Sequence, residues 1–448
     1  MLIKYYSSCH DHELFLNGVV ERKTYTVPRT KLSYTMKEIE LIQQWPFQVK
    51  SETQSICLEE QKLVDEIKSK VALLNLNNLT RTKAYLEFYR RHPEVHWALL
   101  AHVVSRNGGW NMTDLKGSLL KHVFASHPRK DFFMFLEKAN AFIFHDAYSQ
   151  LLLYEKSKEE KKNYMHLLPQ FCVSAFMEPV WQSFLRHANS KLLTVALIIN
   201  EQHYIELRLI SSPYYRKHVY ASAVFKLQEA FHLNHVIFPY KEGESVKVIG
   251  LNVSHFAPLE QRIELGKKLY GMLFTSPYQL KAVLSFAASK PHTGSRADYW
   301  PELFSPQMDE NIWSPDLNTA WENCRHTYTN EEWYRPGGGF LYFSEVELPA
   351  KFDITQQYAN TLALVRTGAF LLNKFKISGH TNESKGVKYM GQNHQFKPGQ
   401  KAPNNGYYVE IGETGSTVND PNQIKLKAGE KFPDTKNEDR VWMPKRKP

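Results

Sequence analysis

The loop Pro291-His292-Thr293-Gly294-Ser295-Arg296-Ala297-Asp298 brings an imidazole, two hydroxyls, a guanidinium and a carboxylate into one short stretch. His292 can give or take a proton near neutral pH. Arg296 can clamp a phosphate or carboxylate through parallel N–H donors, with Ser295 or Thr293 orienting it. Ser295 lacks the G-x-S-x-G surroundings of a hydrolase nucleophile, so acyl transfer is not indicated. A structural reading competes: Arg296 and Asp298 pair with each other and lock the loop.

A second stretch, Ser105 to Lys116, carries Arg106, Asn107 and Asn111 around the pair Gly108-Gly109. Glycines opening a helix can present backbone N–H groups to an anion. The spacing is not that of a phosphate loop, and a helix-loop-helix corner with Asn107 and Asn111 satisfying loop carbonyls explains the same residues. His292, Ser295, Arg296 and Asp298, with Arg106, Asn107 and Asn111, form the candidate ligand-binding set. A third group, His92, Glu94, His96 and His102, has two histidines four apart, but the order is wrong for H-E-x-x-H and Pro93 sets His92 off the helical face. No metal and no cofactor is expected. Asn140, His145 and Asp146 lie in an otherwise apolar segment, where a core-facing Asp146 needs an arginine or histidine partner.

From about 58 to 290 the elements that must position these groups are helical. Leu58 to Leu74 shows an aliphatic stripe, Asn78 or Thr80 can cap the next helix, and Pro93 suits the first turn of the one after. Asn107-Gly108-Gly109 is expected to end that helix, with Thr113 restarting the chain as an N-cap and Asp114 at the positive helix end. Asp131 to Tyr154 is apolar nearly all round, as a helix or helix pair through the centre would be. Further helices are expected at Glu178 to His187, Leu192 to Leu209, Tyr220 to Phe231, Leu259 to Phe274, Pro277 to Ser289 and Ile354 to Asn373. His235 to Tyr240 and Ser245 to Val253 predict a hairpin on the side of the helical body. The fold class is mainly α, a multi-helix globular domain over 58–335, with an N-terminal extension (1–57), a helical or loop extension (336–376), a linker (377–389) and a small β-rich unit (390–448).

Composition sets the outer bounds. The chain has 448 residues, 42% hydrophobic and 23% charged, with a net charge of +10, a balance ordinary for a globular protein of more than one domain. The mean hydropathy is −0.46, and no run approaches the roughly 20 apolar residues a spanning helix needs. Without a signal-peptide pattern, a cytoplasmic location is expected. The basic charge is dispersed, and even Glu155 to Lys162 mixes both signs, so nucleic acid is not supported beyond the basic pI. Cys9, Cys57, Cys172 and Cys324 form no C-x-x-C pair and are expected to be reduced and mostly buried.

The string TRTKAYLEFYRRHPEVHWALLAHVVSRNGGWNMTDLKG from Thr80, with HTGSRADYWPELF from His292, resembles the YppC-like family, domain-of-unknown-function family 2515, over roughly residues 55–335. After it, turn formers recur every few residues from Pro398 to Pro433, and alternation at Tyr407 to Ile411 and Gln423 to Lys427 marks two strands. Phe396, Tyr407, Ile411, Leu426, Phe432 and Trp442 would make a thin core. This tail resembles the YjzC-like family from its own methionine, Met390. Lys385-Gly386-Val387-Lys388 before it can be encoded by a purine-rich stretch like a bacterial ribosome-binding site, so the linker reads as a translated spacer or as an ordinary polar connector.

Neither resemblance carries an assigned activity. Two function classes follow: a non-enzymatic helical protein that binds a protein partner, or an enzyme or sensor for an anionic small molecule centred on the His292–Asp298 loop. A pocket joining that loop to Arg106 and Asn111 would favour the second; packing by Trp110 and Trp300 would favour the first.

Overall fold

The computed structural model describes residues 30–45, 56–118, 126–220, 235–252, 258–335, 340–363, 395–412, 418–437 and 439–444. The chain divides into two compact units, Met1–Asn373 and Lys374–Pro448.

The first unit is mainly α. A two-residue strand, β1 (Lys31–Leu32), precedes α1 (Met36–Gln43), α2 (Leu58–Leu74), α3 (Asn78–Arg91), α4 (His96–Asp114), α5 (Ser126–Glu160), α6 (Met177–His187) and α7 (Ser190–Ile205). Two more helices, Leu259–Phe274 and Pro277–Ser289, follow the hairpin. The cap of α3 is Asn77, one residue before the expected position, its side chain accepting from the Thr80 amide at 3.1 Å. The apolar centre is one continuous helix, the 35-residue α5, rather than a pair.

The clearest departure from expectation is α4, which runs through Gly108 and Gly109 without stopping. Neither glycine serves a turn. A Cβ on Gly109 would stand 2.4 Å from both the His292 ring and the Asn78 side chain, and one on Gly108 would stand 3.1 Å from the Asn140 amide. The glycines admit neighbouring side chains to the helix surface. Thr113 is therefore not an N-cap; its hydroxyl donates to the carbonyls of Trp110 and Gly294 at 2.9 and 2.5 Å.

Strands β2 (His235–Glu242) and β3 (Ser245–Asn252) pair antiparallel, with Gly243 at φ +61° in the connecting turn. The hairpin is not an appendage on one side: Ile237, Phe238, Val248 and Ile249 are all buried. The expected helix at 220–231 lies outside the described residues after Tyr220, which closes a short π-helical turn begun at Arg216. Strand β4 (Phe304–Ser305) lies parallel to β5 (Ile312–Trp313), and β6 (Val346–Glu347) pairs antiparallel with β1. The last expected helix is present over 355–363, where the description stops. Residues 377–389 are outside it.

Two apolar clusters fill this unit. One surrounds Trp97, Phe144, Tyr148, Trp181 and Leu197; the other contains Trp110, Phe133, Tyr299, Leu317 and Tyr358. Among the described residues no helix is long and apolar enough to cross a membrane.

The second unit is a three-stranded antiparallel sheet in the order β8 (Gln423–Leu426), β7 (Gly406–Gly412), β9 (Arg440–Pro444). Its core is Ala402, Tyr408, Phe432 and Trp442, with Phe396 stacked on Phe432 at 5.0 Å. Tyr407, expected in the core, is 54% exposed and Tyr408 takes its place, while Ile411 is buried as expected. Glu410 is buried beneath the sheet, its carboxylate accepting from Arg440 at 3.1 Å and from the Asn422 side chain at 3.2 Å.

Candidate functional site

The His292–Asp298 loop follows the Pro277–Ser289 helix and closes against the C-terminal half of α4. Ser276 caps that helix and Pro277 opens it. At its far end the Lys290 and Pro291 carbonyls accept from the Arg106 guanidinium at 2.7 and 3.4 Å, a cation placed where carbonyls point outward. Gly294, at φ +84°, turns the loop toward α4; a Cβ there would meet Leu317 at 2.8 Å.

Arg296 does not pair with Asp298. Its Nε meets both oxygens of Asp114 at 2.8 and 2.9 Å, and Nη2 meets Asp114 Oδ2 at 2.6 Å and Asn111 Oδ1 at 3.3 Å. Nη1 donates to the hydroxyl of Tyr299 at 2.6 Å and to that of Tyr358. Burial works against the cation, but the Asp114 carboxylate and the two tyrosines outweigh it and hold Arg296 charged. Asp114 thus ends α4 as the partner of a buried arginine rather than sitting at a helix N-terminus.

Asp298 turns the other way. Oδ2 accepts from the Thr293 amide at 3.0 Å and the Trp110 indole at 3.3 Å, Oδ1 accepts from the Thr293 hydroxyl at 2.8 Å, and His292 Nδ1 lies 3.2 Å from Oδ2. Burial raises its carboxyl, yet the His292 and Thr293 hydrogen bonds bring it below the ordinary aspartate range. The other ring nitrogen of His292 lies 2.9 Å from Asn78 Oδ1. Burial depresses the His292 pKa, with the bond to Asp298 opposing. Such a dyad resembles the orienting half of a general-base pair, but its outer nitrogen meets Asn78 instead of an open site. Ser295 donates to the Ser314 carbonyl at 2.5 Å and accepts from the Ala297 amide at 3.2 Å.

The structure brings Asn111 to Arg296 but sends Asn107 elsewhere. Asn107 Nδ2 donates to the Ile237 carbonyl at 2.7 Å and its Oδ1 accepts from the Ile237 amide at 2.9 Å, so this side chain acts as a third strand against β2. Arg106 lies over the rings of Trp110 and Phe286 at 5.9 and 5.6 Å, and among the described residues its Nε and Nη1 have no hydrogen-bond partner. Burial lowers its pKa to about 10.

Trp110 is completely buried between the two segments, 4.6 Å from the Tyr299 ring, and Trp300 donates to the Val246 carbonyl at 3.2 Å. Sequence reasoning missed Asn78, Asp114, Tyr299, Ser314 and Tyr358 as partners. The offsets Asn107, Asn111 and Asp114, four and then three apart, would place them on one helical face had the glycines not been read as a stop.

The remaining groups disperse. His92 bonds Glu155 at 3.1 Å, His96 bonds the Tyr270 hydroxyl at 3.1 Å and stacks on Phe274, and His102 bonds the Thr82 carbonyl at 2.8 Å. Burial takes His96 to about 4 and His102 to about 3. Among the described residues no three histidine, cysteine, aspartate or glutamate side chains are arranged to hold a metal. Among the described residues Asp146 bonds neither arginine nor histidine: Asn200 and Gln150 side-chain amides donate to its Oδ2 at 2.6 and 2.8 Å. Of the cysteines described, Cys57 is exposed and Cys172 and Cys324 are half-buried, against the expectation of mostly buried thiols.

A family model described as "Protein of unknown function (DUF2515)" matches residues 74–345, and one described as "YjzC-like protein" matches residues 390–444. The chain is 40% identical over 299 residues to "Uncharacterized protein YppC" of Bacillus subtilis (strain 168), covering 66% of this chain and 91% of that protein. Over 59 residues it is 68% identical to "Uncharacterized protein YjzC" of the same organism, covering 13% of this chain and all of that protein. No solved structure matches.

Proposed function

Since the chain belongs to the DUF2515 family and ends in a YjzC-like unit, we propose that its helical unit is a non-enzymatic, cytoplasmic protein that works by binding a protein partner. One observation carries this reading: every polar group of the loop richest in chemistry is engaged inside the protein. All three nitrogens of Arg296, both oxygens of Asp298 and both ring nitrogens of His292 have protein partners. Catalysis needs a group within reach of a substrate atom. Here the loop serves as a clasp joining the Pro277–Ser289 helix to α4.

The test is purification of the full chain from a bacillus under cross-linking, followed by reconstitution of any stoichiometric complex from purified components. A reconstituted complex with submicromolar affinity supports the proposal. Turnover or tight metabolite binding by the isolated protein, with no complex reconstituted, overturns it.

A second reading, a sensor of an anionic small molecule, is favoured by Arg106, whose buried charge has two nitrogens without a hydrogen bond among the described residues. Calorimetric titration with phosphate, pyrophosphate and citrate separates the two. Affinity lost in Arg106→Ala, with folding retained, supports the sensor; no heat from any of the three removes it.

A further inference from the structure

Away from the clasp, a cleft of about 160 Å³ opens among α3, α4, α5, α7, the Leu259–Phe274 helix and β2. Most of its wall is apolar, including Tyr85, Leu100, Val104, Ile143, Leu265 and Leu269. One side is held closely: a Cβ on Gly266 would meet Ile198 at 2.7 Å, so Leu259–Phe274 and α7 touch where that glycine stands.

Into this wall α7 places Glu201, two residues after the run Leu192 to Ile199. Its Oε2 accepts from the Trp97 indole at 3.1 Å and its Oε1 from the Gln202 amide at 3.3 Å. Both donors are neutral. Among the described residues no cationic side chain pairs with it; the nearby Arg262 directs Nη2 to Glu206 at 2.5 Å and Nε to the Gln202 side-chain Oε1 at 3.0 Å. A carboxyl in such a setting has no electrostatic reason to stay ionised. Burial pushes Glu201 from 4.5 up to about 8, so near neutral pH it is chiefly a carboxylic acid, with one O–H to donate and oxygens to accept.

We propose that this cleft binds a small neutral molecule with a ring-sized apolar body and one hydroxyl, which Glu201 holds by donating to and accepting from it. The volume fits: an apolar cavity of about 150 Å³ admits a benzene-sized guest. The chemistry fits a hydroxyl better than a charge. An anion would face a proton donor and a guanidinium, Arg262, already committed to Glu206 and Gln202, and an ammonium group would require Glu201 to ionise in a mostly apolar wall. The inference stands apart from the partner-binding reading, since neither the clasp nor a partner contributes a wall residue to it.

Phenol, toluene and cyclohexylamine are the probes, titrated into the full chain by calorimetry and by Trp97-sensitive fluorescence. Phenol is expected to bind at one saturable site, with toluene weaker by about tenfold, the loss of one hydrogen bond. Glu201→Leu should erase that preference, and Val104→Phe, which fills the space, should abolish both; circular dichroism checks that each variant is folded. The proposal is overturned by the absence of saturable phenol binding, by cyclohexylamine binding more tightly than phenol, or by an unchanged phenol preference in folded Glu201→Leu. Should Glu201→Leu fail to fold, Glu201→Met, which has no N–H or O–H donor, substitutes: loss of the phenol preference over toluene supports the proposal, and an unchanged preference sinks it.

Discussion

Arg296 and Asp114 face each other as a two-pronged ion pair, Nε to Oδ1 at 2.8 Å and Nη2 to Oδ2 at 2.6 Å, with both side chains almost wholly out of solvent. The pair ties the loop to the end of α4, and Tyr299 and Tyr358 complete the shell around the cation.

Removing one member strands the other. Asp114→Ala or Arg296→Ala is expected to lower unfolding free energy by about 3–5 kcal/mol, the cost of an uncompensated buried charge. The double variant should lose less than the sum of the two single losses. Urea denaturation measures all three, and additive losses would mean that the contact is not coupled.

The two glycines of α4 should respond oppositely. Gly109→Ala puts a methyl 2.4 Å from His292 and Asn78 and should destabilise by about 1–3 kcal/mol despite alanine's better helix propensity. Gly108→Ala meets only the end of the Asn140 side chain at 3.1 Å, which can rotate aside, so it should be neutral or stabilising by up to about 1 kcal/mol. Equal losses from the two would contradict this account of the glycine pair.

Two acids, Asp146 fully buried and Glu201 half-buried, set a pH dependence. Asp146 is raised from 3.8 to about 7 and Glu201 from 4.5 to about 8, burial being the main cause in both. In that window the folded state holds protons that the unfolded chain has released, so the contribution of these two acids falls as pH rises from about 4 toward 8; the buried histidines, His96 and His102 among them, act in the opposite sense up to about 6.5 and are silent above it. The acids' contribution is complete below the unfolded values and lost through the folded ones. Chemical denaturation at pH 7, 7.5 and 8, above the histidine range, should show this slope in the wild type and a flatter one in Glu201→Gln and Asp146→Asn. Parallel profiles in all three would show that other groups control it.

The tail is expected to fold without the helical unit. A fragment beginning at Met390 should show native-like dispersion and cooperative loss of Trp442 fluorescence, because Phe396, Tyr408, Phe432 and Trp442 form their own core. The translated-spacer reading adds that the gene resembles AAAGGGGTG before the Met390 codon and that a separate product of 59 residues, the length matched in YjzC, accompanies the full chain. An unfolded fragment would overturn independence. A locus without the purine-rich run, with no short product, would leave a purpose-built connector.

Local sequence determined the mainly α character, most helix spans, the β2–β3 hairpin and the β-rich unit after Met390. Each rests on periodicity or turn chemistry that neighbouring residues supply by themselves. It also singled out the segments that meet, Arg106 to Asn111 and His292 to Asp298. Their roles depended on distant residues. Gly108-Gly109 reads locally as a stop, but side chains from α5, the α3 terminus and the loop require bare backbone there, and packing overrode propensity. Arg296 lies two residues from Asp298 yet bonds to Asp114, 182 positions away, because a buried guanidinium takes the carboxylate that tertiary geometry offers to its fork. Glu201 gave no local signal. Only the assembly of four helices, the Leu259–Phe274 helix and a strand around it created the apolar wall that keeps its proton on.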